Sequence, residues 1–108
     1  MLGRVREDVI PQVADMALQA QGAEWAVAVG IVGRDLVFSV RNVGYVRAAG
    51  EVVRAVVEGL GVGGGHRSMA KGIIPLKAFR DVYGSTNRDQ IRSALYDAFV
   101  RAIHQDGE

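Results

Sequence analysis

The sequence predicts an α/β (α+β) layer: a small mixed β-sheet that includes a hairpin, covered by helices, with a glycine-rich loop between a helix and a strand. Three observations carry that prediction. Two β-branched runs stand close together at residues 25–32 and 36–40, apolar residues recur at helical spacing before and after them, and residues 61–68 hold too many glycines for regular structure. A length of 108 residues with 49% hydrophobic content suits a single core, so one domain over residues 1–108 is expected.

Pro11 suits the first turn of a helix, where its missing N–H would be unpaired in any case. Val13, Ala14, Ala17 and Leu18 follow at helical spacing, with Gly22 as the stop. The runs WAVAVGIV and LVFSV are too short and too β-branched for comfortable helices, and Gly33-Arg34-Asp35 joins them as a hairpin. Over residues 49–60, Val52, Val53, Val56, Val57 and Leu60 share one helix face, which leaves Arg54 and Glu58 towards water. The glycine stretch is then a loop, and Ile73 and Ile74 mark a strand over residues 69–76. Thr86 followed by Asp89 is a variant of the helix N-terminal capping pattern. Ile91, Leu95, Ala98, Phe99 and Ile103 form the buried stripe of a last helix that ends near His104.

Thirteen basic residues against twelve acidic ones leave a net charge of +1, so affinity for a polyanion has to come from a local patch. Cysteine is absent, which excludes disulfides, thiolate nucleophiles and cysteine-ligated zinc. The two histidines lie far apart, and Asp8, Asp15, Asp35, Asp81, Asp89, Asp97 and Asp106 are scattered singly. No metal site, resident cofactor or catalytic residue is therefore expected in this chain. No apolar run approaches the roughly 18 residues of a membrane span, so no membrane partner is expected and a cytoplasmic location fits. The opening Met1-Leu2-Gly3 reads as a point within a longer protein.

Glycines accept positive φ and let a ligand approach the main chain, so Gly63, Gly64 and Gly65 can aim successive N–H groups at one phosphate. His66 adds an imidazole that donates or stacks, and Arg67 a guanidinium whose fork matches phosphate oxygens. On the residues alone a flexible connector with an incidental surface histidine stands beside that reading. The stretch lacks the Gly-Lys-Ser/Thr ending of a P-loop and follows a helix where a dinucleotide fingerprint follows a strand. Arg41 is equally open, as a strand-end arginine reaching water or as a ligand. Trp25 reads as core, Tyr45 as the better candidate to stack a base, and His104 as a cation at a helix end with no further role.

The run GVGGGHRSMAKGIIP, residues 61–75, resembles the signature of the DHH-associated domain, although the family's Ala-Gly pair is interrupted here as Ala70-Lys71-Gly72. LVFSVRNVG, residues 36–44, is similar to the family strand that ends in Ser-x-Arg, which matches Ser39, Arg41 and Asn42 to its second ligand-facing element. The resemblance covers about residues 13–79, and the form GGGHRSMA is nearest the nanoRNase and phosphatase-like, exopolyphosphatase-related branch. It implies the substrate-binding part of a metal-dependent phosphoesterase, with Arg41, Asn42, Gly63, Gly64, Gly65, His66 and Arg67 on the phosphate and Lys71 a weaker member of the patch. The hydrolase chemistry, with divalent metal, commonly manganese, belongs to an N-terminal DHH domain whose Asp-His-His triplet is absent from this sequence. The implied ligands are single-stranded nucleic acid, short oligoribonucleotides or nucleotide phosphates. The alternatives are a tRNA-binding module related to the associated domain of alanyl-tRNA synthetases, and an assembly or docking domain that could form a homodimer.

Overall fold

Alternation of buried and exposed side chains along residues 38–43, after the buried run 36–38, builds the centre of the sheet in the computed structural model, which describes residues 14–20, 23–43 and 47–104. The elements are β1 (Ala14–Ala20), β2 (Ala23–Val32), β3 (Asp35–Val43), α1 (Ala49–Val57), β4 (Val62–Gly65), β5 (Met69–Pro75), α2 (Leu76–Tyr83) and α3 (Arg88–His104). Five strands run in the order β1-β2-β3-β5-β4, and three helices pack on the sheet. The fold is thus the expected α/β layer, and the β2–β3 hairpin turns at Gly33 with φ 62°.

Every neighbouring pair is antiparallel, where a mixed sheet was expected. The reason is the position of β5. A helical crossover such as α1 normally returns the chain parallel to the strand it left. Here β5 doubles back and inserts between β3 and β4, so those two parallel strands never touch.

Residues 14–20 form a strand where a helix was expected, pairing with β2 from Ala14↔Val29 to Ala20↔Ala23. Ala14, Ala17 and Leu18 fit a helical period, but the gain from completing a ladder beside β2 outweighs the few tenths of a kcal/mol of helix propensity per residue, about 0.7 at most. Pro11, Val13 and Gly22, which framed the expected helix, lie outside the described residues.

The core lies between one sheet face and the helices. Trp25, Val27, Leu36, Phe38, Val40 and Ile74 point towards Val52, Val53, Leu95 and Phe99, all almost fully buried. Phe38 meets Phe99 edge-on with ring centroids 5.5 Å apart, a geometry that adds to the area buried. Trp25 is core, as its place at the head of an apolar strand suggests. Arg54 and Glu58 are exposed, as their positions opposite the valine stripe require.

Helix α2 has no counterpart in the expected order. It starts after Pro75, buries Phe79 against the core and stops at Gly84, whose φ of 88° is left-handed and whose N–H donates to the Arg80 carbonyl. Pro before and Gly after are helix boundaries that the sequence displays. The helix is too short for its apolar period to stand out from the strand it continues.

Helix α3 begins one residue later than Thr86 would suggest. Asn87 is the capping side chain, its Oδ1 accepting the Gln90 N–H at 2.9 Å, and Ser85 Oγ in turn accepts the Asn87 N–H at 3.1 Å. Replacing Asn87 with Ala is expected to cost about 1 kcal/mol. A urea midpoint lowered at unchanged slope would show it, and an unchanged midpoint would assign the cap elsewhere.

At the other end of the layer, Arg47 Nη1 donates to the Ala102 carbonyl at 2.6 Å in the last turn of α3, and Arg47 Nη2 lies 3.5 Å from Glu51 on α1. This arginine ties the start of one helix to the end of the other. Among the described residues no helix is long and apolar enough to cross a membrane.

Candidate functional site

Because strand neighbours alternate faces, the sheet face away from the helices carries Ser39 and Arg41 from β3, Met69 and Lys71 from β5, and Gly64 from β4. Register sets them side by side: Ser39 pairs with Lys71, Lys71 with Gly64, and Arg41 with Met69. The ladder continues one step past β4, where the His66 N–H donates to the Met69 carbonyl at 2.7 Å. Ser39, Arg41, Gly64, Gly65, His66 and Lys71 line one open concavity of 460 Å³, floored by Met69 and the strand backbones. Two sequence segments more than twenty residues apart thus meet at one place.

The charge there is one-sided. Arg41, Lys71 and His66 converge, and no carboxylate is among the described residues of the lining. Ser39 adds a hydroxyl that donates or accepts. Such a set suits an anion with several oxygens, with the arginine fork and the ammonium contributing charge-assisted bonds.

Several expected ligands are not placed for that role. Asn42 is buried on the helix side, because it follows Arg41 on an alternating strand; its Nδ2 donates to the Arg47 carbonyl at 2.6 Å. It ties the end of β3 to the residue two positions before α1. Arg67 is exposed and outside the concavity lining, and its carbonyl accepts the Ala49 N–H at 2.8 Å. The His66 carbonyl likewise accepts the Gly50 N–H at 2.9 Å, so the first amides of α1 are already used by this turn.

The glycines form a strand, where a phosphate-cradling loop was expected. Positive φ occurs at Gly33, Gly59 and Gly84 and at none of Gly63, Gly64 and Gly65. The His66–Met69 bond fixes the ladder phase, so the Gly64 N–H is directed to the Lys71 carbonyl while those of Gly63 and Gly65 point away from β5. Amides that alternate in direction cannot converge on one anion.

Close packing accounts for most of the glycines. A β-carbon on Gly63 would lie 2.6 Å from Val53 Cγ1 on α1, one on Gly65 would be 2.5 Å from Ala70 Cα, and one on Gly50 would be 2.6 Å from the Gly65 carbonyl oxygen. Helix α1 and strand β5 therefore approach β4 more closely than any side chain allows. Gly64 is different, since its nearest atom would be Arg54 Nη1 at an ordinary 3.6 Å. That contact shows the Arg54 guanidinium reaching the edge of β4 beside the concavity, an addition to the basic rim that its water-facing position on α1 does not disclose.

Ser39 and Lys71 gain weight from the structure, because pairing between distant strands sets them against Arg41 and His66. Tyr45 lies outside the described residues. Comparison with family models, curated proteins and solved structures finds no match for this chain.

Proposed function

We propose that this chain is a phosphate-holding module of the DHH-associated type, which seats a phosphate of a nucleotide or short oligonucleotide for a metal-dependent phosphoesterase. The observation that carries the reading is the convergence of Arg41, His66 and Lys71, with Ser39, on one concavity whose described lining holds no carboxylate. The succession of hairpin, helix, glycine segment and strand supports it further, since the resemblance of residues 13–79 implies the same order. Recognition in this account belongs to side chains, with the glycines serving to bring α1 and β5 against β4.

The chain's part is positioning and charge neutralisation, which lower a barrier by fixing a reacting group and shielding its charge. Among the described residues no three His, Asp or Glu side chains come together. Divalent-metal chemistry would be supplied by the DHH domain that the resemblance implies. A cytoplasmic setting follows from the same assignment.

Titration with 5′-AMP, followed by backbone amide shifts, tests the reading. Ser39, Arg41, Gly64, His66 and Lys71 are expected to move together along one saturation curve, while amides on the exposed side of α3 stay in place. Unmoved signals at Arg41 and His66 at millimolar nucleotide would overturn it.

A further inference from the structure

The concavity does not end at Arg41. A second depression of 390 Å³ lies on its other side, lined by Ala17, Glu24, Ala26 and Val43 together with Leu18 and Trp25, and Arg41 belongs to both. Register explains the continuity. Ala17 pairs with Ala26, Ala26 with Arg41 and Arg41 with Met69, beside His66, so one row crosses the whole open face. At about 4.8 Å per strand step, the row is roughly 19 Å long with Arg41 at its midpoint.

The two halves differ in chemistry. Among the described residues the half from Arg41 to His66 is lined by cations and no carboxylate, whereas the half from Arg41 to Ala17 is lined by Glu24 and by small or apolar residues. Ala17 and Ala26 are small and exposed, which leaves a flat floor, and Val43 is 70% exposed at its rim. A second phosphate there would meet no cation besides Arg41 among the described lining residues, which disfavours it. A flat, uncharged group fits instead, its face lying on the floor of small side chains.

The geometry points to a nucleoside subsite: the half-groove of Ala17, Ala26, Val43 and Glu24 takes the sugar and base of a nucleoside monophosphate unit whose phosphate sits between Arg41 and His66. This inference rests on the phosphate reading above and deepens it, because it gives the sugar and base that the phosphate seat leaves unplaced a position on the same face. Arg41 serves both halves, its fork on the phosphate and its aliphatic stem as a wall of the nucleoside subsite.

The test compares 5′-AMP, the dinucleotide pApA and inorganic tripolyphosphate on the full chain by amide shifts. All three are expected to move Arg41 and His66, and only the two nucleotides to move Ala17, Glu24 and Ala26. The tighter of AMP and pApA identifies whether the unit comes as a free nucleotide or as a chain end. Ala26→Leu, which fills the exposed floor, is expected to weaken AMP by about 10-fold and to leave tripolyphosphate within about 2-fold. Nucleotide shifts confined to the Arg41–His66 half, or tripolyphosphate shifts equal to those of AMP at Ala17 and Ala26, would overturn the inference and spare the phosphate reading. Silence at Arg41 and His66 with all three ligands would remove both.

Discussion

Gly72→Ala is expected to lower stability by about 1–3 kcal/mol, the usual cost of forcing extra volume into a packed core. A β-carbon there would run into the Phe38 ring, at 2.6 Å from Cε1 and closer still to Cζ. Phe38 is fully buried and held edge-on by Phe99, so the ring has no open space to enter. For a chain near 100 residues that penalty corresponds to a melting point lower by about 4–8 °C per kcal/mol. Gly64→Ala is the paired control: its nearest neighbour is the flexible end of Arg54, and the change should stay within about 0.5 kcal/mol. Thermal unfolding of the two variants by circular dichroism should place Gly72→Ala far below Gly64→Ala. Equal melting points would show that the glycines here are not held by packing.

Arg41→Ala is expected to weaken 5′-AMP about 10- to 100-fold, since a hydrogen bond to a charged group contributes roughly 1.5–3 kcal/mol. The side chain is exposed on the open sheet face, so stability should stay within about 0.5 kcal/mol and the melting point within about 2–4 °C. Arg67→Ala provides the contrast. Arg67 follows His66 directly in sequence, but it is outside the concavity lining and should leave the affinity within about 2-fold. Calorimetric titration of both variants separates a seat built from β3 and β5 from one built by the glycine segment alone. A large loss with Arg67→Ala and none with Arg41→Ala would favour the glycine segment.

Local patterns made much of this structure legible. The β2–β3 hairpin, the valine stripe of α1, strand β5 and the extent of α3 all follow from periods of two or three to four residues that each segment carries by itself. Strand β1 is not legible in the same way, because Ala14, Ala17 and Leu18 carry a helical period and the segment becomes a strand only through pairing with β2. The glycines illustrate the opposite difficulty. Their number signalled a special backbone, but the cause is the approach of α1 and β5, which is a property of the assembled layer.

The candidate site divides along the same line. Arg41 and His66 were singled out from motif and chemistry, and the fold brings them to one concavity. Asn42 was matched with Arg41 through the resemblance to the family strand, although adjacent residues on a strand face opposite ways, and the alternation over residues 38–43 already contained that answer. Ser39 and Lys71 entered through the resemblance, Lys71 as the weaker member of the patch, and the register between β3 and β5, which no local pattern in either strand specifies, is what sets them side by side.

The most direct measurement is a crystal structure of the chain soaked with 5′-AMP. The account predicts phosphate density above Met69, bonded to Arg41 and flanked by His66 and Lys71 on the open face of the sheet. Phosphate density instead beside Arg88 and Arg92, at the start of α3, would contradict it.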